Sequence, residues 1–284
     1  MRSFLPHYSL VAPSSLPEVL ALLGMSPPRR PFAGGTDLMV LLEAGTLPEG
    51  GYVGLWHLQE LRGIKDSGEA IEIGALTTYT EIASHPLLQA DWPLLCRAAE
   101  ETGGVATQNR GTIGGNIANA SPAADTPPAL IAYDAELEIV SRRGTRRVPY
   151  DRFHTGYKQM DLGADELIAR IHLPKRPGSW RQYYRKVGTR RAQAIAKVCM
   201  AVACDITADG VVDDIRIALG SVSPTVVRAR AAEAALRGHG LTDATITAAE
   251  AALEREIAPI DDIRSTARYR LRVARALLRE ALRL

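Results

Sequence analysis

The sequence predicts an α+β fold built as a larger N-terminal unit and a smaller C-terminal one. Three observations predict it. At 284 residues the chain is long for one minimal core. Helical and strand patterns follow each other in mixed order, without the regular alternation of a doubly wound parallel sheet. The run Lys175-Arg176-Pro177-Gly178-Ser179 concentrates turn formers between two patterned regions.

Ser15 is expected to cap the first helix, with Glu18 completing a capping box. Leu16, Val19, Leu20 and Leu23 then recur at helical spacing, and Gly24 with Pro27-Pro28 ends the helix. Pro31-Phe32-Ala33 reads as a short strand running into Gly34-Gly35-Thr36-Asp37, with an apolar helix over 38–44 stopped by Gly45. Tyr52-Val53-Gly54-Leu55 reads as a strand, and Asp66-Ser67-Gly68-Glu69 as the turn between two more within 64–73. Thr78 and Glu81 form a second capping box for a helix ending at His85-Pro86, and a third helix over 94–101 is closed by Gly103-Gly104. A strand over 135–140 turns at Arg142-Arg143-Gly144-Thr145 and returns over 146–149, and a further strand spans 167–173.

Beyond the break, strands are expected around 183–187, 195–205 and 215–219, followed by two Ala- and Arg-rich helical stretches. In the last, 264–284, Tyr269, Val273, Ala276 and Leu277 form an apolar stripe between arginines. That pattern favours a packed amphipathic helix over a nucleic-acid-binding one.

Composition narrows the function classes. An apolar fraction of 46% can fill a core, and a net charge of +2 gives no bulk field for nucleic acid or an acidic membrane surface. The three cysteines Cys96, Cys199 and Cys204 form no C-x-x-C pair and are too few to hold an iron–sulfur cluster by four thiolates. His7, His57, His85, His154, His172 and His239 show no metal-ligand spacing, so no metal site is expected. The start, Met1 to His7, has no signal-peptide pattern, and no apolar run approaches a membrane span, so a cytoplasmic location is expected.

Two glycine segments carry the chemistry. Ala33-Gly34-Gly35-Thr36-Asp37-Leu38 joins a strand to a helix; paired glycines let backbone approach a ligand and present successive N–H groups, which suits a pyrophosphate. Gly111-Thr112-Ile113-Gly114-Gly115-Asn116 reads as a second such loop, continuing through Ala118, Asn119, Ser121 and Ala124 to Asp125. Its small side chains leave a surface for a flat ligand, with Asn116, Asn119, Ser121 and Asp125 as polar contacts. Either segment alone is also compatible with a tight turn or a self-satisfied loop; together they favour a cofactor with two phosphates.

These segments, about 75 residues apart, resemble the FAD subunits of xanthine dehydrogenases and carbon monoxide dehydrogenases. The resemblance extends over nearly the whole chain, through Asp165-Glu166-Leu167-Ile168, Tyr184-Arg185-Lys186-Val187-Gly188, Ile195-Ala196-Lys197-Val198 and Gly220-Ser221-Val222-Ser223-Pro224. It implies an FAD-binding domain of the PCMH type over 1–175, with subdomains of about 1–57 and 58–175, and an α+β domain over 179–284 like that of carbon monoxide dehydrogenase flavoproteins. It also implies FAD held by Ala33, Gly34, Gly35, Thr36, Asp37 and Leu38, and by Thr112, Gly115, Asn116, Ala118, Asn119, Ser121, Ala124 and Asp125. Leu167 and Ile168 are then expected near the flavin or adenine, and Lys186 close to the ring.

The resemblance further implies a large molybdopterin-binding partner and a small partner with [2Fe-2S] clusters, whose electrons pass to FAD and on to an acceptor such as NAD. No catalytic side chain is expected in this chain, because the cofactor carries the redox chemistry. Thr107 to Thr112 and Ala120 to Asp125 are more similar to the xanthine dehydrogenase branch than to the carbon monoxide branch. Gln108 departs from a common Arg, expected to alter a contact near the flavin, and Gly54 from a common Asp at a strand end. Two rival readings are a self-contained flavin oxidase of the vanillyl-alcohol-oxidase type and a non-enzymatic FAD-binding assembly protein.

Overall fold

The computed structural model describes residues 7–176 and 180–283. Pro177, Gly178 and Ser179, the middle of the expected break, lie outside the described residues. The strands fall into three sheets and a small hairpin, each sheet drawn mainly from one stretch of sequence.

The first sheet is parallel, in the order β1 (Tyr8–Val11), β3 (Gly50–Gly54), β2 (Arg30–Phe32). Its crossovers carry α1 (Leu16–Leu23) and α2 (Leu38–Glu43). Val19, Leu20 and Leu23 are buried at the expected spacing, over Val53 and Leu55. Ser15 stands at the N-cap of α1, but its side chain makes no capping bond. Instead the Glu18 carboxylate accepts from the backbone N–H of Ser14 at 3.1 Å, so half of the expected box forms, one residue early. Helix α2 buries none of its side chains, and Met39 and Val40 are exposed.

The second sheet is antiparallel, in the order β4 (Ile64–Asp66), β5 (Ala70–Gly74), β10 (Leu167–Pro174), β6 (Glu136–Ser141), β7 (Gly144–Pro149). The expected hairpins form, the second with a turn of only Arg142-Arg143 because Ser141 already pairs with Gly144. A helical layer covers the sheet: α3 (Tyr79–Ser84), α4 (Pro86–Asp91), α5 (Pro93–Glu100), α6 (Val105–Gln108), α7 (Ile113–Ala118) and α8 (Pro127–Ala132). The Thr78–Glu81 capping box at α3 is complete in both directions. The sequence reading left out α4, α6 and α8, all six residues or shorter, and the hairpin of β8 (His154–Gly156) and β9 (Gln159–Met160).

The third sheet runs β11 (Arg181–Val187), β12 (Val198–Ile206), β13 (Val212–Gly220), β14 (Val227–Arg228), all antiparallel. Strand β12 starts later than expected, and Ile195 before it is exposed. Its alternation sorts two cores. Val198, Met200 and Val202 face a cluster with α9 (Arg230–Leu236), α10 (Asp243–Glu256) and α11 (Ala267–Ala281). Cys199, Ala201 and Ala203 face the helices of the larger unit, where their small size admits α8 closely. Three helices stand where two stretches were expected. The buried stripe of α11 is Arg270, Ala274, Leu277 and Leu278, which overlaps the stripe expected only in part: Leu277 is common to both, Val273 packs half-buried against the core, Tyr269 is half-buried and Ala276 is exposed. Arg270 enters this stripe because its guanidinium donates to the Ser221 carbonyl at 2.8 Å and to Asp262 at 2.7 Å.

Candidate functional site

The fold brings the two glycine segments together. Gly34 lies so close to the backbone of Arg110 and Gly111 that a Cβ there would overlap the Arg110 carbonyl. Asn119 Nδ2, just past α7, donates to Asp37 Oδ1 at 3.1 Å. The two segments thus line one cleft between the first sheet and the helical layer.

The first segment keeps its donors free. Gly35 has φ +78, the left-handed region that glycine adopts at no steric cost. The backbone N–H groups of Gly34, Gly35, Thr36, Asp37 and Leu38 meet no acceptor among the described residues. Five successive unpaired donors stand at this half-exposed turn, an arrangement of the kind that can receive an anion.

The second segment differs from expectation: it is the start of a helix rather than an open loop. Its N–H groups are already engaged: Ile113 to Thr77 O (3.0 Å), Gly114 to Ala75 O (2.9 Å), Gly115 to Thr112 Oγ1 (3.2 Å) and Asn116 to Thr112 O (2.9 Å). It therefore offers a surface and not a second amide cradle. Gly114 is buried on Ala75, while Gly115 and Ala118 are the exposed positions of α7. Asn116 Oδ1 accepts from Thr126 Oγ1 at 2.6 Å. Ser121 Oγ accepts from the Ala123 N–H, and Ala124 is buried.

Asp125 is the most constrained polar group of the site. Its Oδ2 accepts from Lys186 Nζ at 2.7 Å, and both side chains are nearly buried. Lys186 Nζ also donates to the Glu101 carbonyl at 2.7 Å, and Tyr184 Oη to the Asp125 carbonyl at 3.0 Å. Burial pushes the Asp125 carboxyl up to about 6, against the opposing pull of Lys186. Asp125 Oδ1 is buried with no hydrogen-bond partner. A buried acceptor in that state is costly unless a donor from outside the chain satisfies it.

The sequence and the fold have counterparts in known proteins. Residues 6–176 match the family described as the FAD binding domain in molybdopterin dehydrogenase, and residues 182–284 the CO dehydrogenase flavoprotein C-terminal domain. The chain belongs to this flavoprotein family. It is 31% identical over 274 residues to the xanthine dehydrogenase FAD-binding subunit of Escherichia coli O157:H7, covering 95% of this chain and 92% of the relative. It is also 31% identical over 278 residues to the carbon monoxide dehydrogenase medium chain of Hydrogenophaga pseudoflava, covering 98% and 96%. The solved carbon monoxide dehydrogenase from Hydrogenophaga pseudoflava matches the fold with a TM-score of 0.93 at 34% identity, over 99% of this chain and 98% of that one. The chain is thus a FAD-binding subunit of the molybdopterin-dependent dehydrogenase class of oxidoreductases, with the α+β architecture expected.

Within this flavoprotein fold, Leu167 and Ile168 lie beneath the cleft. The Leu167 side chain packs in one cluster with Leu76 and half-buried Ala33, and Ile168 in another with Ile113 and Ile117. On neighbouring positions of β10 they point to opposite faces, each supporting one glycine segment. Gln108 turns its Nε2 to the Glu100 carbonyl at 2.8 Å, bracing α5 against α6. Sequence reasoning missed Arg110, whose guanidinium lies 3.7 Å over the Trp56 ring, and Lys158, which donates to Asn119. No local pattern marks either one; only the meeting of distant segments does. Among the described residues no cluster of His, Cys, Asp and Glu could hold a metal ion, and no helix is long and apolar enough to cross a membrane.

Proposed function

We propose that this chain holds FAD in the cleft between Gly34 and Asn119 and relays electrons within a molybdenum hydroxylase of the xanthine dehydrogenase type. Electrons come from [2Fe-2S] clusters on a small partner, after a molybdopterin-bearing large partner has oxidised the substrate, and leave to an acceptor such as NAD. The observation that carries this reading is the run of five unpaired amides from Gly34 to Leu38, joined through Asp37 to the small-residue face of α7. The amides suit a diphosphate, and Gly115 and Ala118 leave room for a flat ring system. Buried Asp125 Oδ1 has no donor from the chain, and an N–H of the bound cofactor would satisfy it.

The roles of the chain's own residues follow. Ala33, Gly34, Gly35, Thr36, Asp37 and Leu38 bind the diphosphate. Thr112, Gly115, Asn116, Ala118, Asn119, Ser121, Ala124 and Asp125 line and orient the remainder, with Lys186 fixing Asp125 and Leu167 and Ile168 supporting from below. Bound FAD supplies both the two-electron and the one-electron chemistry, so these residues need only bind, orient and exclude water. The three buried, unpaired thiols suit a reducing, cytoplasmic setting.

The test is reconstitution. The purified chain takes up FAD and releases it intact on acid precipitation, and an organic substrate bleaches the flavin only when both partners are present. A chain that takes up no FAD, or one whose flavin a substrate reduces without partners, overturns the proposal. Flavin that stays with the precipitated protein points to the self-contained oxidase instead.

A further inference from the structure

Resting on the flavin reading, we infer that Lys158 is the cation of the diphosphate cradle. Strands β8 and β9 pair His154 with Met160 and Gly156 with Gln159, leaving Tyr157 and Lys158 as a two-residue turn. Lys158 has φ +56, in the left-handed region that favours Gly or Asn. A lysine offers the turn nothing that glycine lacks, so the reason for lysine lies in its side chain. Its ammonium donates to the Asn119 carbonyl at 2.7 Å and to Asn119 Oδ1. The other end of the same carboxamide donates to Asp37 at 3.1 Å. The ammonium therefore stands one carboxamide away from the run of free amides.

Charge balance calls for a cation there. A dinucleotide brings a dianionic diphosphate to a cradle that already carries the carboxylate of Asp37, while backbone amides supply only partial charges. The other cations near the cradle face other groups. Arg110 and Arg62 stack on Trp56 at 3.7 and 4.4 Å, and Lys186 is paired with buried Asp125. Among the described residues, Lys158 is the cation in contact with the Asp37–Asn119 pair. It is exposed, so its ammonium is free to move from Asn119 to a phosphate oxygen.

The alternative is that Lys158 only braces the hairpin against Asn119. Lys158→Gly separates the two, because it removes the ammonium while relieving the left-handed turn. The apo chain carrying Lys158→Gly should unfold at the wild-type temperature or above. Its Kd for FAD, read by flavin fluorescence, should rise about tenfold at low salt, with a smaller gap at about 0.5 M salt, where an exposed charge is screened. Lys158→Arg should bind FAD like the wild type. ADP, which carries the diphosphate without the flavin, should lose the same factor as a competitor. Three results overturn the inference: a Kd for FAD within about twofold of wild type, a parallel fall in affinity and unfolding temperature, or ADP competition that does not change. A wild-type chain that takes up no FAD overturns the flavin reading itself; normal wild-type uptake with an unaffected Lys158→Gly variant overturns this inference alone.

Discussion

Replacing Lys186 by Met removes the cation of the buried pair that ties the third sheet to Asp125, at the end of the second glycine segment. The two side chains are 6% and 9% exposed, with 2.7 Å between Nζ and Oδ2. Asp125 sits at about 6 in the folded chain, above its ordinary 3.8, because burial outweighs the pull of Lys186. A carboxyl raised on folding binds its proton more tightly in the folded chain. The stability it contributes is therefore present at low pH and lost as pH rises from its unfolded value through its folded one. That swing is about 3 kcal/mol, at roughly 1.4 kcal/mol for each tenfold change in proton affinity. With Met at 186 the lowering influence is gone, so the folded value rises further and the loss extends to higher pH. Stripping one partner from a buried pair costs about 3–5 kcal/mol when the other must stay charged, and little when it can hold its proton. Lys186→Met should therefore be near wild-type stability at about pH 5 and lower by at most about 3 kcal/mol at about pH 8, because a carboxyl that keeps its proton from about 6 up to pH 8 costs roughly 1.4 kcal/mol per pH unit. Urea unfolding of the apo chain, followed by far-ultraviolet circular dichroism, measures both. An equal loss at the two pH values would refute the reasoning, since lost packing alone does not depend on pH.

The remaining predictions concern the cleft and its supports. Gly115→Val should weaken FAD binding at least about tenfold, equivalent to about 1.4 kcal/mol, beyond a modest loss of stability, because its Cβ would stand 2.9 Å from Thr112 Oγ1, the cap of α7; fluorescence titration with a thermal melt separates the two effects. Gly34→Val should instead lower the stability of the apo chain, because its Cβ overlaps the Arg110 carbonyl whether or not a cofactor is bound; an unchanged melting temperature would contradict this. Asp134 accepts from Arg176, Arg216 and Arg228, so Asp134→Ala should cost about 1–3 kcal/mol and expose the junction of the two units to limited proteolysis. Thr78→Ala should cost about 0.5–2 kcal/mol through loss of the α3 cap, seen in chemical unfolding.

The residues that the sequence reading placed correctly are those whose structure closes within a few positions. The Thr78–Glu81 box spans one turn, and the hairpin over 136–149 is written in its alternation, with its turn tighter than the four residues expected. The Ser15 box shows the limit of that reading: Glu18 has a choice of nearby N–H groups and takes that of Ser14. In α11 the helical period and part of the inward face, Leu277 with Val273, were legible, but the entry of Arg270 into it was not. That entry depended on Ser221 and Asp262, which hold the Arg270 guanidinium.

By itself the sequence determined the α+β class, the two glycine segments and their likeness to a flavoprotein family. Composition, period and spacing are local quantities, and the class and the two segments need no others; the likeness rests on how those segments resemble the family's own. Only the tertiary structure decided that the first segment keeps five amides free while the second spends its own on Ala75, Thr77 and Thr112. It alone set Lys186 on Asp125 and Lys158 on Asn119, 61 and 39 positions apart in the chain. The physical reason is that a donor is free or satisfied according to what the fold brings within about 3 Å of it, and that distance is fixed by packing, not by position along the chain.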